Sequence, residues 1–298
     1  MEVEWKGAGS PMEVERKGAG LPMEGELMGA RLPMEGERVQ ATRLMEGKRP
    51  RVLVVAGYDQ CGGAGVLADV KTLEAHGVYG YAVVTGLTFQ NERRISRVEW
   101  LPEADIFEQI DLCFESGDFE WVKMGVTQSM GSAASIVGHL KQRRPDVRVV
   151  LDPVIRASSG GDFWGPANES WEGLARECFL VTPNWKEIGE LYAVGEEMEY
   201  CRLLSGRGPG IYLKGGHHPA FPGRDYLWSG GEVRVLEGDT GEVYPKHGSG
   251  CVLASSLTAN LALGYSLDEA AVRAKRYTAR FLTSNKTLLG WHSTDYIL

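Results

Sequence analysis

No apolar run in these 298 residues approaches the roughly 18 consecutive residues that a bilayer-spanning helix needs. The first residues lack the hydrophobic stretch of a signal peptide, so no secretory leader is expected. Paired cysteines are missing too. Cys61, Cys113, Cys178, Cys201 and Cys251 are odd in number and widely spaced, with no Cys-x-x-Cys among them. A disulfide framework is therefore not expected, and the spacing offers no tetrahedral zinc site. Free thiols fit a reducing cytoplasm. Excess positive charge is also absent. At a formal net charge of -8 the chain has no electrostatic reason to hold nucleic acid or an anionic membrane. An anionic small substrate stays open, because backbone amides bind phosphate whatever the net charge. Finally, there is no Gly-x-x-x-x-Gly-Lys-Ser/Thr, which excludes a P-loop nucleotidase, and no Gly-x-Gly-x-x-Gly after the first strand.

What is present is a composition of 43% hydrophobic and 24% charged residues, ordinary for a globular protein. Its start is unusual. Residues 1–44 repeat every eleven residues as MEVEWKGAGSP, MEVERKGAGLP, MEGELMGARLP and MEGERVQATRL. Gly in each unit, and Pro closing three units, disfavour a continuous helix. The units hold too few large apolar residues to offset the entropy of ordering them. Residues 1–50 are thus expected to be a disordered repeat tail and residues 51–298 the folded domain. Each unit opens with Met, which fits translated repeat DNA ahead of a start at Met45.

Within the domain, strands alternate with helices. Strand-like β-branched runs occur at 51–56, 81–85, 121–124, 147–151, 179–182 and 210–214, and a hairpin pattern at 226–229 and 232–236. Helical spacing marks 66–76, 106–116, 130–143, a start at 185–192, then 251–264 and 267–283. This order predicts an α/β fold with a mostly parallel sheet covered on both faces. Ligands in such folds bind beyond the carboxyl ends of the strands. Asp59, Gln90, Asp152, Asn184, Glu187 and Lys214 all fall there.

Four constellations carry chemistry. In Lys246-His-Gly-Ser-Gly-Cys251 the small residues let backbone amides converge on an oxyanion, and the helix that follows adds partial positive charge. Cys251, in the first helical turn, is either a thiolate favoured by the helix dipole or a small packing residue. The glycine loop Gly57-Tyr-Asp-Gln-Cys-Gly-Gly-Ala-Gly65 lets a small ring approach the backbone, and Asp69 in the next helix is either a hydrogen-bond acceptor for a hydroxyl or a dipole partner. Asn184 and Glu187, three apart at a strand-to-helix turn, suit either water-bridged Mg²⁺ or a helix cap.

Read together, Ala56-Gly-x-Asp59 with Gly62-Gly-Ala-Gly65, Ala68-Asp-Val-Lys-Thr72, Gln90-Asn91, Lys123-Met-Gly125, Leu151-Asp-Pro-Val154, Ser159-Gly160, Thr182-Pro-Asn-x-x-Glu187, Leu213-Lys-Gly-Gly-His217 and His247-Gly-Ser-Gly-Cys251 occur in one order. The domain resembles the hydroxymethylpyrimidine and phosphomethylpyrimidine kinase family of thiamine biosynthesis, in the ribokinase-like superfamily. The resemblance spans residues 52 to about 283 and none of the repeats. It implies a three-layer α/β/α fold, ATP and Mg²⁺ as co-substrates, and an aminopyrimidine acceptor. It places Gly57, Asp69, Gln90, Val126 and Val154 around the acceptor, Asn184 and Lys214 at ATP, and Asp152 and Glu187 at the metal. Gly248, Ser249, Gly250 and Cys251 form the catalytic turn. Cys251 then either takes the hydroxyl proton or positions the hydroxyl; a base role puts the cost of Cys251→Ala at roughly 10²–10⁴ in turnover.

The expected reaction is transfer from ATP to 4-amino-5-hydroxymethyl-2-methylpyrimidine, with its monophosphate as a second acceptor. A pyridoxal kinase and a non-catalytic pyrimidine-binding protein are the alternatives. A homodimer is the candidate assembly. Tyr58 and Cys61 replace small hydroxyl residues common in the family, Val126 stands where Met is frequent, and Lys246 where Thr is usual.

Overall fold

The computed structural model describes residues 49–156, 163–164, 170–191, 196–206, 208–218, 220–238 and 241–294. The eleven-residue repeats and the Ser159-Gly160 stretch lie outside them. Among the described residues no helix is long and apolar enough to cross a membrane.

The first strand, β1 (Arg51–Asp59), follows from its sequence: a β-branched run with both faces apolar suits a central parallel strand. Leu53 and Val55 pack into one core, while Val52, Val54 and Ala56 pack into a second on the opposite face. Helix α1 (Gly65–Ala75) leads to β2 (Tyr79–Gln90), parallel to β1. The antiparallel β3 (Ile95–Trp100) folds back on β2. Helix α2 (Glu103–Ser116) then carries the chain to β4 (Trp121–Met124), on the other side of β1. The parallel sheet continues through β5 (Arg148–Leu151), β6 (Leu180–Val181) and β7 (Gly210–Leu213). The antiparallel hairpin β8 (Asp225–Ser229) and β9 (Glu232–Leu236) closes that edge. Strand order is β3-β2-β1-β4-β5-β6-β7-β8-β9.

Helices α2, α3 (Met130–Arg143), α4 (Ser170–Arg176), α5 (Trp185–Leu191) and α6 (Glu197–Ser205) contribute to the core on one face. Helices α1, α7 (Ser249–Ala262) and α8 (Leu267–Thr283) cover the other. This is the three-layer α/β/α arrangement expected. The structure adds caps: Ser129 accepts from the Ser132 amide at 3.0 Å, and Ser266 with Glu269 forms a capping box. Each such cap contributes about 1 kcal/mol.

Several elements depart from the sequence reading. Strand β2 runs from Tyr79 to Gln90 rather than over 81–85, because β3 pairs with its second half. Strand β3 and helices α4 and α6 were not expected. Helix α7 starts at Ser249, two residues before the expected Cys251.

From β1 the chain goes first to β2 on one side and later to β4 on the other. The carboxyl end of β1 is therefore a topological switch point, where crossovers diverge and leave a crevice.

Candidate active site

The glycine turn sits in that crevice. Gly248 adopts φ +75°, and a Cβ there would lie 2.0 Å from the Gly63 carbonyl oxygen. Only glycine permits this left-handed approach. It presses the turn against the β1–α1 loop and begins α7 with its amides facing the crevice.

Two hollows meet at this point. The smaller, of about 60 Å³, is lined by Gly57, Gln90, Val126, Val154 and Cys251, together with Asp59, Thr88, Phe163 and His247. The larger, a cleft of about 470 Å³, is lined by Asp152, Asn184, Glu187, Lys214, Gly248, Ser249 and Gly250. It adds Arg156, Lys186 and Glu190. Val154 and Cys251 line both.

The cleft is a compact charge cluster. Lys214 Nζ donates to Asp152 Oδ1 at 2.7 Å and lies 3.6 Å from Glu187 Oε2. Thr182 donates to the same Asp152 oxygen at 3.2 Å. Asp152 Oδ2 and Lys214 Nζ lie 3.6 and 3.3 Å from the Cβ position of Gly250, so both groups border the glycine turn. Burial pushes the Glu187 carboxyl up to about 7, partly offset by Lys214 and reinforced by Asp152. Burial alone would lower Lys214, but the two carboxylates outweigh it and raise the ammonium above its ordinary value.

Four placements bear on the roles considered for these residues. First, burial pushes the Cys251 thiol up to about 11, and the Lys123 ammonium lowers it only in part. The helix dipole therefore does not make Cys251 a thiolate at neutral pH. Second, Asp69 does not reach the smaller hollow. It is fully buried, Oδ2 accepting from Lys123 Nζ at 2.7 Å and Oδ1 from Ser255 at 2.7 Å. This pair joins α1, β4 and α7 behind Cys251, so Asp69 is a structural anchor. Third, Asn184 caps α5. Its Oδ1 accepts from the Lys186 and Glu187 amides, while Glu187 Oε2 accepts from the Asn184 amide at 2.6 Å. That leaves the Asn184 amide nitrogen, not its oxygen, as the group offered to the cleft. Fourth, Lys246 donates to the Asn285 and Thr287 carbonyls and so fastens the C-terminal segment.

The sequence puts Asp59 at the crevice and His247 beside the glycine turn but gives neither a role in the site. His247 Nε2 lies 3.0 Å from Asp59 Oδ2, across 188 residues of chain. Nothing in a linear pattern couples them; the glycine contact at Gly248 does.

The family model for phosphomethylpyrimidine kinase matches residues 59–294. The chain belongs to this family. The hydroxymethylpyrimidine/phosphomethylpyrimidine kinase of Rhizobium meliloti is 34% identical, the match covering 76% of this chain and 87% of that protein. The thiamine biosynthesis bifunctional protein ThiED of Geobacter sulfurreducens is 37% identical over 77% of this chain, which spans about half (48%) of the longer relative. Among solved structures, the phosphomethylpyrimidine kinase of Clostridium difficile aligns with a TM-score of 0.66 at 32% identity, covering 77% of this chain and 98% of that one. The pyridoxal kinase of Staphylococcus aureus, solved with AMP-PCP and pyridoxal, aligns with a TM-score of 0.69 at 26% identity, covering 80% and 89%. The fold of this kinase family member is ribokinase-like.

Proposed function

We propose that this chain transfers the terminal phosphoryl group of ATP to the hydroxymethyl oxygen of 4-amino-5-hydroxymethyl-2-methylpyrimidine, and then a second phosphoryl group to the monophosphate. The observation that carries the reading is the sharing of Cys251 and Val154 between the two hollows. A flat ring in the smaller hollow and a phosphate chain in the cleft meet only at the glycine turn.

Gln90 offers one donor and one acceptor to an aminopyrimidine edge. Val126 and Val154 supply apolar faces for the ring. The amides of the glycine turn hold the phosphoryl oxygens, where charge is spread in a loose transition state. The acceptor oxygen forms its bond to the terminal phosphorus while the bond to the bridging oxygen breaks. ADP leaves with that bridging oxygen, and the hydroxyl proton is released. Because the transition state is loose, positioning matters more than a strong base. Cys251, a thiol at neutral pH, positions the hydroxyl. Lys214 meets the phosphates as a point charge.

The donor set beside the turn fits a hard divalent cation. Two carboxylates, Asp152 and Glu187, share a single ammonium, so with both ionised one negative charge is left in a buried place. They would hold Mg²⁺, which when bound offsets the charge on the phosphates.

ATP consumption measured separately with hydroxymethylpyrimidine, its monophosphate and pyridoxal tests the reading. Turnover on the two pyrimidines is expected to exceed that on pyridoxal. Faster turnover of pyridoxal would make it a pyridoxal kinase. Pyrimidine binding without ADP formation would leave a binding protein.

A further inference from the structure

The β1–α1 loop and the residue before the glycine turn bring three side chains of different chemistry to one point. Asp59 Oδ2 lies 3.1 Å from Cys61 Sγ and 3.0 Å from His247 Nε2. The three ligand atoms all fall within 4.8 Å of one another. Asp59 and His247 are buried, and Cys61 is partly exposed on the loop.

The carboxylate is held in place before any ion arrives. Its Oδ1 accepts from the Cys61 amide at 3.1 Å and its Oδ2 from the Ala64 amide at 2.9 Å. The loop is tied further by Lys71, whose ammonium donates to the Gly62 carbonyl at 2.8 Å. His247 is fixed through its own amide, which donates to the Leu288 carbonyl at 2.9 Å.

A tetrahedral ion with bonds of about 2.0–2.3 Å sets its ligand atoms about 3.3–3.7 Å apart. The two measured separations fall short of that by a few tenths of an ångström, which side-chain rotation supplies. One thiolate, one imidazole and one carboxylate make a borderline-soft set suited to Zn²⁺ or Co²⁺ rather than Mg²⁺. The charges also balance: thiolate and carboxylate together neutralise a divalent ion, as a buried site requires.

We propose that Asp59, Cys61 and His247 form a binding site for a zinc-class divalent ion, distinct from the Asp152–Glu187 pair. Three protein ligands leave the fourth position to water. On binding, the Cys61 thiol releases its proton to solvent. The His247 Nε2 lone pair joins the ion with the ring proton on Nδ1, and Asp59 exchanges hydrogen bonds for one metal bond. Because Asp59 and His247 line the smaller hollow, a bound ion occupies part of that wall. The site rests on loop geometry and does not depend on which acceptor the enzyme uses.

Titration of the full-length, metal-free protein with Co²⁺ alone tests it. One equivalent is expected to give a sulfur-to-cobalt charge-transfer band in the near ultraviolet and strong tetrahedral absorption in the visible. Zn²⁺ is expected to displace the signal and Mg²⁺ to leave it. Cys61→Ser is expected to abolish the charge-transfer band, while Cys251→Ser retains it. No band in the native protein, or a band that survives Cys61→Ser, overturns the site. X-ray absorption of the zinc-loaded native protein supplies a readout that needs no variant: one sulfur and three lighter ligands are expected, and zero or two sulfurs refute the assignment.

Discussion

Cys251 offers the sharpest test of how the glycine turn works. With burial pushing its thiol up to about 11, roughly one molecule in 10⁴ carries the thiolate at pH 7. Were that thiolate the base, kcat/KM would rise tenfold for each pH unit between 7 and 9. We expect no such rise from this group, because the thiol acts by holding the hydroxyl. A positioning hydrogen bond is worth about 1–3 kcal/mol, so Cys251→Ala should cost roughly 5- to 150-fold in kcat/KM. Cys251→Ser, which keeps a donor and an acceptor, should stay within about tenfold of the native enzyme. The assay is initial rate of ADP formation against pH for all three proteins, at saturating ATP. A tenfold-per-unit rise in the native enzyme that vanishes in Cys251→Ser, together with a loss of 10⁴ in Cys251→Ala, would refute positioning and restore the base.

Four further outcomes are expected. Gly248→Ala forces φ +75° on a residue with a Cβ, at about 1–2 kcal/mol, and drives that Cβ onto the Gly63 carbonyl; both melting temperature and kcat should fall, and an unchanged melting temperature would count against the contact. Breaking the buried Lys123–Asp69 pair with Asp69→Ala should cost about 3–5 kcal/mol in denaturant unfolding, whereas Lys123→Met with Asp69→Leu should recover much of it; equal losses in both proteins would contradict this. His76 is buried and neutral, its ring bonded to the Thr72 carbonyl and Ser256, and burial pushes its pKa down to about 4. Its folded pKa lies below the unfolded 6.5, so its contribution is intact above pH 6.5 and falls by about 1.4 kcal/mol per unit toward pH 4; an unfolding series on His76→Gln should show a shallower acid slope, and identical slopes would reject the claim. Removal of residues 1–44, which precede the family match at 59–294, should leave turnover essentially intact, and a large loss of activity would contradict that expectation.

The parallel sheet was legible because its strands contain apolar runs, and Asp152, Thr182 and Lys214 directly follow β5, β6 and β7. Helices α3 and α8 match the spans read from helical spacing, 130–143 and 267–283, to the residue, and the structure shows Ser129 and Ser266 capping them. Strand β3 was hidden because it is an edge strand with mostly exposed side chains, so apolar alternation has little to report. The charge cluster of the cleft was visible as residues but not as an arrangement: Asn184 and Glu187 have the spacing of both a cap and a metal site, and only the hydrogen bonds show the cap. Asp69 was placed at the acceptor on resemblance, yet its carboxylate is held by Lys123, a residue 54 positions away. Spacing in one dimension does not encode pairs of that kind, and the same holds for Asp59 with His247.

The contact of Gly63 with Gly248 has a bearing on synthesis of the protein. One wall of the site is made near the beginning of the domain and the other near its end. A ribosome that has released β1 through β9 has made all nine strands of the sheet but not the glycine turn. Until α7 and α8 emerge, the apolar face formed by Val52, Val54 and Ala56 has no helical cover from them. Nascent chains truncated before residue 249 are thus without the glycine turn and with part of the core open to water. Activity and protection of that face arrive in the same closing step.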